Sequence, residues 1–404
     1  MPEATILQVV PRLDAGGSEQ AAVEIAQALT RAGAKALVAT EGGRMATAIT
    51  DGGGEIIPIP VASKNPLTIL ANARRLAKLI EKRGVDLFHA RSRAPAWSAF
   101  LAARRTRRPF VTTYHGAYGD PGPLKNAYNS VMGRGDRVIA NSRYTAELIA
   151  SRHPAARERI RVIYRGVDEG IFDARAVPPE AVASLRERWG VAPETKIVLQ
   201  AARLSGLKGH RDTIEAAFIL AADGALDGAV IIFAGDAGSG SAYGQDLAAL
   251  IARHGLEDKV RLVGHCAEMP AAFLAAEVAL VPSLVPETFG RTSIEAQAMG
   301  CPVILSDIGA LPETIMAPEQ DKSGFTGWLV PPGDAAALAA KIRLALNLAP
   351  EARTALGIRA RQRVAAEFTL REMQLATLKV YDELLGTSLA ARFEQESLPA
   401  PSSG

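Results

Sequence analysis

The densest group of chemically useful side chains lies at Pro282-Ser283 and Glu287-Thr288-Phe289-Gly290-Arg291-Thr292-Ser293-Ile294-Glu295. Two carboxylates, Glu287 and Glu295, are separated by seven residues across a glycine-containing loop that follows a strand-like run and opens a helix-like one. Backbone N–H groups of residues 289–292, at the start of such a helix, suit a phosphate. Thr292 to Glu295 also reads as a capping box, which needs no ligand; Glu287 has no capping role. A second group is Arg203-Leu204-Ser205-Gly206-Leu207-Lys208-Gly209. An arginine fork and a lysine point charge five residues apart in a flexible loop suit a diphosphate. Three further groups are simpler. Gly16-Gly17-Ser18-Glu19 permits close backbone approach at a helix start, with a plain tight turn as the alternative. Thr113-Tyr114-His115-Gly116 and His89-Ala90-Arg91 place histidines at strand ends, where packing is the competing role.

These groups need strands behind them, and the apolar pattern supplies them. The first half reads as strands at 5–10, 36–40, 55–59, 85–89, 110–113, 137–140 and 160–164. Helical patterns lie between, beginning near Ser18 as N-cap and continuing at 67–83, 94–104, 123–133 and 143–152. The second half repeats the alternation, with strands at 196–202, 230–235, 260–263, 279–282, 303–306 and 328–330. Its helices fall at 211–222, 244–254, 268–276, 293–300 and 335–347, and long helical stretches follow at 350–366 and 370–385. Strands alternating with helices of this length predict parallel sheets covered on both faces. The fold class is therefore α/β, with two doubly wound units facing each other across a cleft. The first spans 1–170, the second 190–366, and residues 166–190 with Pro178-Pro179 form the join. The Ser-, Pro- and Ala-containing tail, 387–404, is expected to be mobile. In open α/β sheets ligands sit beyond the carboxyl ends of strands, which is where each group above falls.

Composition narrows the function. The chain has 404 residues, 48% hydrophobic and 22% charged, with a formal net charge of +3. That balance excludes whole-chain disorder and a dedicated nucleic-acid coat protein, so no nucleic-acid partner is expected. The two cysteines, Cys266 and Cys301, form no CxxC, and no HExxH or DxD occurs. A disulfide framework, a zinc site and a carboxylate-held divalent ion on a nucleotide are all unsupported, and a cytoplasmic location is expected. No GxGxxG is present, which disfavours a dinucleotide-dependent dehydrogenase. No apolar run is long enough to span a membrane. The one local bias is basic: Arg91, Arg93, Arg104, Arg105, Arg107 and Arg108, near Trp97 and Phe100.

Taken with Ala296, Ala298-Met299-Gly300, Pro302-Val303, Gly235-Asp236, Gly264-His265 and Gly327-Trp328-Leu329-Val330, the two-glutamate block resembles that of the family-4 retaining glycosyltransferases of GT-B fold. The resemblance covers about residues 5–385. It implies that Gly16 and Gly17 approach the donor diphosphate and sugar, and that His115 contacts the sugar near the reaction centre. It implies that Arg203 and Lys208 neutralise the leaving diphosphate, Glu287 binds sugar hydroxyls and Glu295 binds the ribose. It further implies that main-chain groups of Phe289, Gly290, Arg291 and Thr292 hold sugar and phosphates, that the nucleobase lies near Val263, Gly264 and His265, and that a C-terminal helix, 370–385, crosses back to the first unit. Two departures stand out. Arg291 replaces a usual aliphatic residue, and Arg165-Gly166-Val167-Asp168 replaces a frequent Asn-Gly-Val-Asp.

The expected activity is transfer of a sugar from a nucleoside-diphosphate sugar, without metal or other cofactor, to a saccharide or lipid-linked acceptor in lipopolysaccharide or surface-polysaccharide synthesis. Acceptor-side candidates are His89, Arg91 and Tyr114, with Arg93, Trp97 and Tyr118 nearby. The basic stretch suits an anionic membrane surface, so peripheral attachment at the inner face of the plasma membrane is part of the expectation. The competing readings are a nucleotide-sugar epimerase or hydrolase of the same fold and a non-catalytic nucleotide-sugar-binding protein. A glycogen-type phosphorylase would require a much longer chain.

Overall fold

Strands such as Thr5–Val9 and Ala229–Ala234 are buried at every position. Uninterrupted burial arises when helices cover both faces of a parallel sheet, so these strands read as apolar runs and not as alternations. The computed structural model describes residues 4–14, 16–116, 122–236 and 242–396. It divides into a first unit, up to Tyr164 and again from Leu370, and a second unit, Arg165–Thr369.

The first unit contains β1 (Thr5–Val9), β2 (Lys35–Thr40), β3 (Glu55–Pro58), β4 (Leu87–Ala90), β5 (Phe110–Tyr114), β6 (Arg137–Ala140) and β7 (Ile160–Val162). They form one parallel sheet in the order β3-β2-β1-β4-β5-β6-β7. The second unit contains β8 (Lys196–Ala201), β9 (Ala229–Ala234), β10 (Val260–Gly264), β11 (Val278–Val281), β12 (Val303–Ser306) and β13 (Gly327–Val330). Its parallel order is β10-β9-β8-β11-β12-β13. Each sheet therefore reverses direction once, between β1 and β4 and between β8 and β11. Such a switch point leaves a crevice beyond the strand ends.

Three expectations change. The join at 166–190 belongs wholly to the second unit: it carries the helix Pro179–Arg188, and Leu185 and Trp189 are buried in that unit's core. The two points where the chain changes unit lie side by side, with Val167 N–H donating to Phe368 O at 2.8 Å. The tail from 387 is not wholly mobile. Leu389–Glu396 is a helix whose Leu389, Ala390 and Phe393 enter the first unit's core beside the helix Leu370–Leu385. Asp382 caps it from the preceding helix, accepting from Leu389 N at 2.7 Å and Ala390 N at 2.9 Å. The third change is at the first helix. Gly16, not Ser18, is the N-cap of Gly17–Arg31, and the Ser18 hydroxyl bonds Glu19 instead.

Candidate functional site

The second unit's switch point holds a cavity of about 170 Å³, and Ala201, Ala202, Arg203, Lys208, Pro282, Ser283, Glu287, Gly290, Arg291 and Thr292 line it. These residues come from the ends of β8 and β11, the two strands that flank the reversal.

The loop after β8 is held from beneath. Gln200, buried in the strand, donates from Nε2 to Lys208 O at 2.7 Å and accepts from Thr213 Oγ1 at 2.8 Å. Gly209 has φ of 70°, and a Cβ there would sit 2.0 Å from Pro282 O, so only glycine lets this loop close against β11. Leu284 N–H donates to Leu207 O at 2.9 Å, which joins the two loops. The result places Lys208 Nζ 2.7 Å from Glu287 Oε1. The Ser283 hydroxyl donates to the same oxygen. Arg203 is exposed, and it has no ion-pair partner among the described residues.

The loop after β11 is fixed by its aromatic residue and by a second glycine. Phe289 is 5% exposed and packs edge-on to Phe368, ring centres 5.9 Å apart, so its side chain is an anchor. Gly309 has φ of 64°, and a Cβ there would strike Glu287 O at 2.6 Å; the close approach lets Ala310 N–H donate to Glu287 O. The following helix is Arg291–Ala298 with Gly290 as N-cap. The capping-box reading of Thr292 to Glu295 therefore fails, because the helix begins one residue before Thr292. Glu295 pairs instead with Arg291, Oε1 to Nε 3.3 Å.

Sequence reasoning missed Gln200, Gly309 and His210. Gln200 is a lone polar residue inside an apolar strand, and that is a usable signal. His210 is fully buried beneath the Lys208 loop, edge-on to Phe233 at 5.1 Å, and burial pushes its pKa from 6.5 down to about 4.

The remaining candidates lie elsewhere. Gly264 ends β10, two strands from β8 and so about 10 Å away in the sheet. Val263 and His265 border a separate cavity of about 570 Å³ with Arg188, Trp189 and Glu268. Gly16, Gly17 and His115 belong to the first unit, where His115 is half-buried just after β5. Tyr118 lies outside the described residues.

His89 and Arg91 are corrected: with exposures of 0% and 3% they are core residues and not an acceptor surface. Tyr114 is buried too, but it borders a cavity of about 370 Å³ with Asn126, Asn129, Arg152 and His153. His89 Nδ1 pairs with the Tyr381 hydroxyl at 2.6 Å and Nε2 with the Thr113 hydroxyl at 2.7 Å. Arg91 Nε donates to Gln8 Oε1 at 2.8 Å, and burial lowers the Arg91 pKa. The basic stretch is likewise engaged in part: Arg93 donates to Asn129, the Arg104 guanidinium stacks 5.3 Å from the Phe100 ring centre, and Arg108 pairs with Asp86 at 3.4 Å. Arg104, Arg105, Arg107 and Arg108 are exposed. Among the described residues, no group of three or more His, Cys, Asp or Glu is placed to hold a metal, and no helix is long and apolar enough to cross a membrane.

Two doubly wound units, with a cationic cavity at the switch point of the second, define a GT-B type of protein. Residues 15–170 match Glycosyltransferase Family 4, and residues 182–363 match Glycosyl transferases group 1. A glycosyltransferase crystal structure from Rickettsia africae is 33% identical with a TM-score of 0.87, over 96% of this chain and 100% of that one. The Anabaena protein HepE, solved with UDP and glucose, is 25% identical with a TM-score of 0.79, over 94% and 99%. The D-inositol 3-phosphate glycosyltransferase of Streptomyces bingchenggensis is 32% identical over 263 residues, 61% of this chain and 55% of its own. The chain thus spans little more than half the length of the first curated relatives it matches. The protein belongs to the family-4 glycosyltransferases of GT-B fold.

Proposed function

We propose that the protein transfers a sugar from a nucleoside-diphosphate sugar to a saccharide or lipid-linked acceptor, with retained anomeric configuration and without a metal ion. The observation that carries this reading is the β8/β11 cavity, where Arg203, Lys208 and the start of a helix converge on a space suited to a diphosphate. In the reaction the anomeric carbon–oxygen bond breaks, and its electron pair leaves on the diphosphate. The acceptor oxygen bonds to the anomeric carbon on the same face, and its proton passes to the leaving phosphate oxygen. Arg203, Lys208 and the amides of 289–292 stabilise the charge that develops; one such donor contributes roughly 3–4 kcal/mol. Lys208 and Ser283 orient the Glu287 carboxylate toward sugar hydroxyls, while Glu295 takes the ribose.

The HepE complex with UDP and glucose supports a uridine diphosphate donor. The relative named for D-inositol 3-phosphate supports a hydroxyl acceptor that carries negative charge. Lipopolysaccharide-core and other surface saccharides fit that description. The four exposed arginines at 104–108 support contact with an anionic membrane face, tested by flotation with neutral and anionic vesicles at low and high salt.

The test of the reaction is incubation with UDP-glucose, UDP-galactose and GDP-mannose, in EDTA, against saccharide and lipopolysaccharide-core acceptors, with the product anomer read by NMR. An α-linked product from an α-linked donor is expected. An inverted linkage, or a strict requirement for a divalent ion, overturns the mechanism.

A further inference from the structure

Arg291 is the residue whose side chain the reading above leaves without a task, and its position is electrostatically unfavourable. It is the first residue of the helix Arg291–Ala298, where unsatisfied N–H groups already present positive charge and a cation is disfavoured. It also lines the same 170 Å³ cavity as Arg203 and Lys208. Three cationic side chains and a helix N-terminus therefore surround one small space, and Glu287 is the only carboxylate among the residues that line it. Lys208 is matched by Glu287 at 2.7 Å. Arg291 is matched from outside the lining, by Glu295 one turn along the helix at 3.3 Å. The Glu295 pair holds the guanidinium beside the cavity, at a helix start whose dipole disfavours a cation. Local choices that oppose folding and converge on one cavity are characteristic of a ligand site.

We propose that the Arg291 side chain is a third phosphate-binding cation of the donor site, with Glu295 as its anchor. This rests on the donor-site reading and deepens it. Through Nε the guanidinium is held by Glu295, and a guanidinium carries five N–H donors in a fixed fork, so one group can hold a carboxylate and a phosphate together. The leaving diphosphate of this protein then meets three cationic side chains, where an aliphatic residue at 291 would leave two. The same contact links the phosphate end of the site to Glu295 at its ribose end.

The experiment is calorimetric titration of the whole chain with ADP, GDP, TDP and UDP at several potassium chloride concentrations, for wild type, Arg291→Leu, Arg291→Lys and Arg203→Ala. A charged hydrogen bond of this kind corresponds to roughly ten- to hundredfold in affinity. Arg291→Leu is expected to weaken the best-binding diphosphate by that factor and to flatten its salt dependence. Arg291→Lys should retain the salt dependence and most of the affinity. Unchanged affinity and salt dependence in Arg291→Leu, with Arg203→Ala weakened, overturns the role of Arg291 and leaves the donor site standing. Weakened affinity with unchanged salt dependence also overturns it, because Arg291 then acts only by positioning Glu295. Absence of binding of all four diphosphates to wild type overturns both.

Discussion

The two switch points of this protein share one layout and use it in opposite ways. Each unit has a buried glutamine as the next-to-last residue of its first strand, Gln8 in β1 and Gln200 in β8. Gln8 donates to Ala22 O in the following helix and accepts from the buried Arg91 guanidinium, just after β4. Gln200 instead holds the main chain of Lys208 and accepts from Thr213. The charged ends of the β8 and β11 loops are thereby left to line an open cavity. A crevice in an α/β sheet becomes a polar site only where its own strand-end groups are not consumed internally. In the first unit His89 and Arg91 are buried, with the helix Leu370–Leu385 supplying Tyr381 to His89.

The largest effect expected from this contrast is on turnover. Arg203→Ala and Lys208→Ala should each reduce donor turnover roughly a hundred- to a thousandfold. Neither should lower stability much, because Arg203 is exposed and both Lys208 and its partner Glu287 are partly open to water. Donor turnover and urea unfolding of the same preparations check both halves of that statement. The opposite pattern is expected at the first switch point. His89→Ala removes a buried ring and strands the Tyr381 and Thr113 hydroxyls, so unfolding by urea should show a loss of about 3 kcal/mol. Nucleoside-diphosphate affinity should be unchanged in that variant. A loss of affinity with intact stability would place His89 in a binding site after all.

His210 sharpens the comparison from beneath the second site. Its pKa falls from 6.5 to about 4 on burial, so the unfolded chain takes up a proton that the folded chain refuses. Stability should therefore decline as pH falls from about 6.5 to 4, by about 3 kcal/mol in total. His210→Phe should remove that part of the pH dependence. Parallel stability profiles for wild type and variant over this window would contradict the assignment.

How much of this the sequence discloses depends on how local each interaction is. The Glu287-to-Glu295 block and the Arg203/Lys208 loop are legible because residue type and spacing are local, and each element they need adjoins them. His89 and Arg91 mislead because a strand-end position does not say whether a side chain finds a partner. The partner of His89 is Tyr381, 292 residues away, and no local pattern encodes it. The helix at 389–396 is hidden for a similar reason: its cap, Asp382, lies in the preceding helix, and its apolar residues sit in a polar, small-residue context. The capping-box reading of Thr292 to Glu295 fails because Gly290 caps the helix earlier, which frees Glu295 for Arg291.

The account's central claim is that the β8/β11 switch point binds a nucleoside diphosphate, while the buried His89–Tyr381 pair of the first unit is structural. Thermal unfolding tests it most directly, measured with and without ADP, GDP, TDP and UDP for wild type, His89→Ala and Arg203→Ala/Lys208→Ala. One diphosphate should stabilise wild type by about 2.7 kcal/mol at a hundred times its Kd. His89→Ala should start from a lower Tm and keep the full ligand shift. The double variant should start near the wild-type Tm and show none. A ligand shift that survives in the double variant, or one that vanishes with His89→Ala, would contradict the claim.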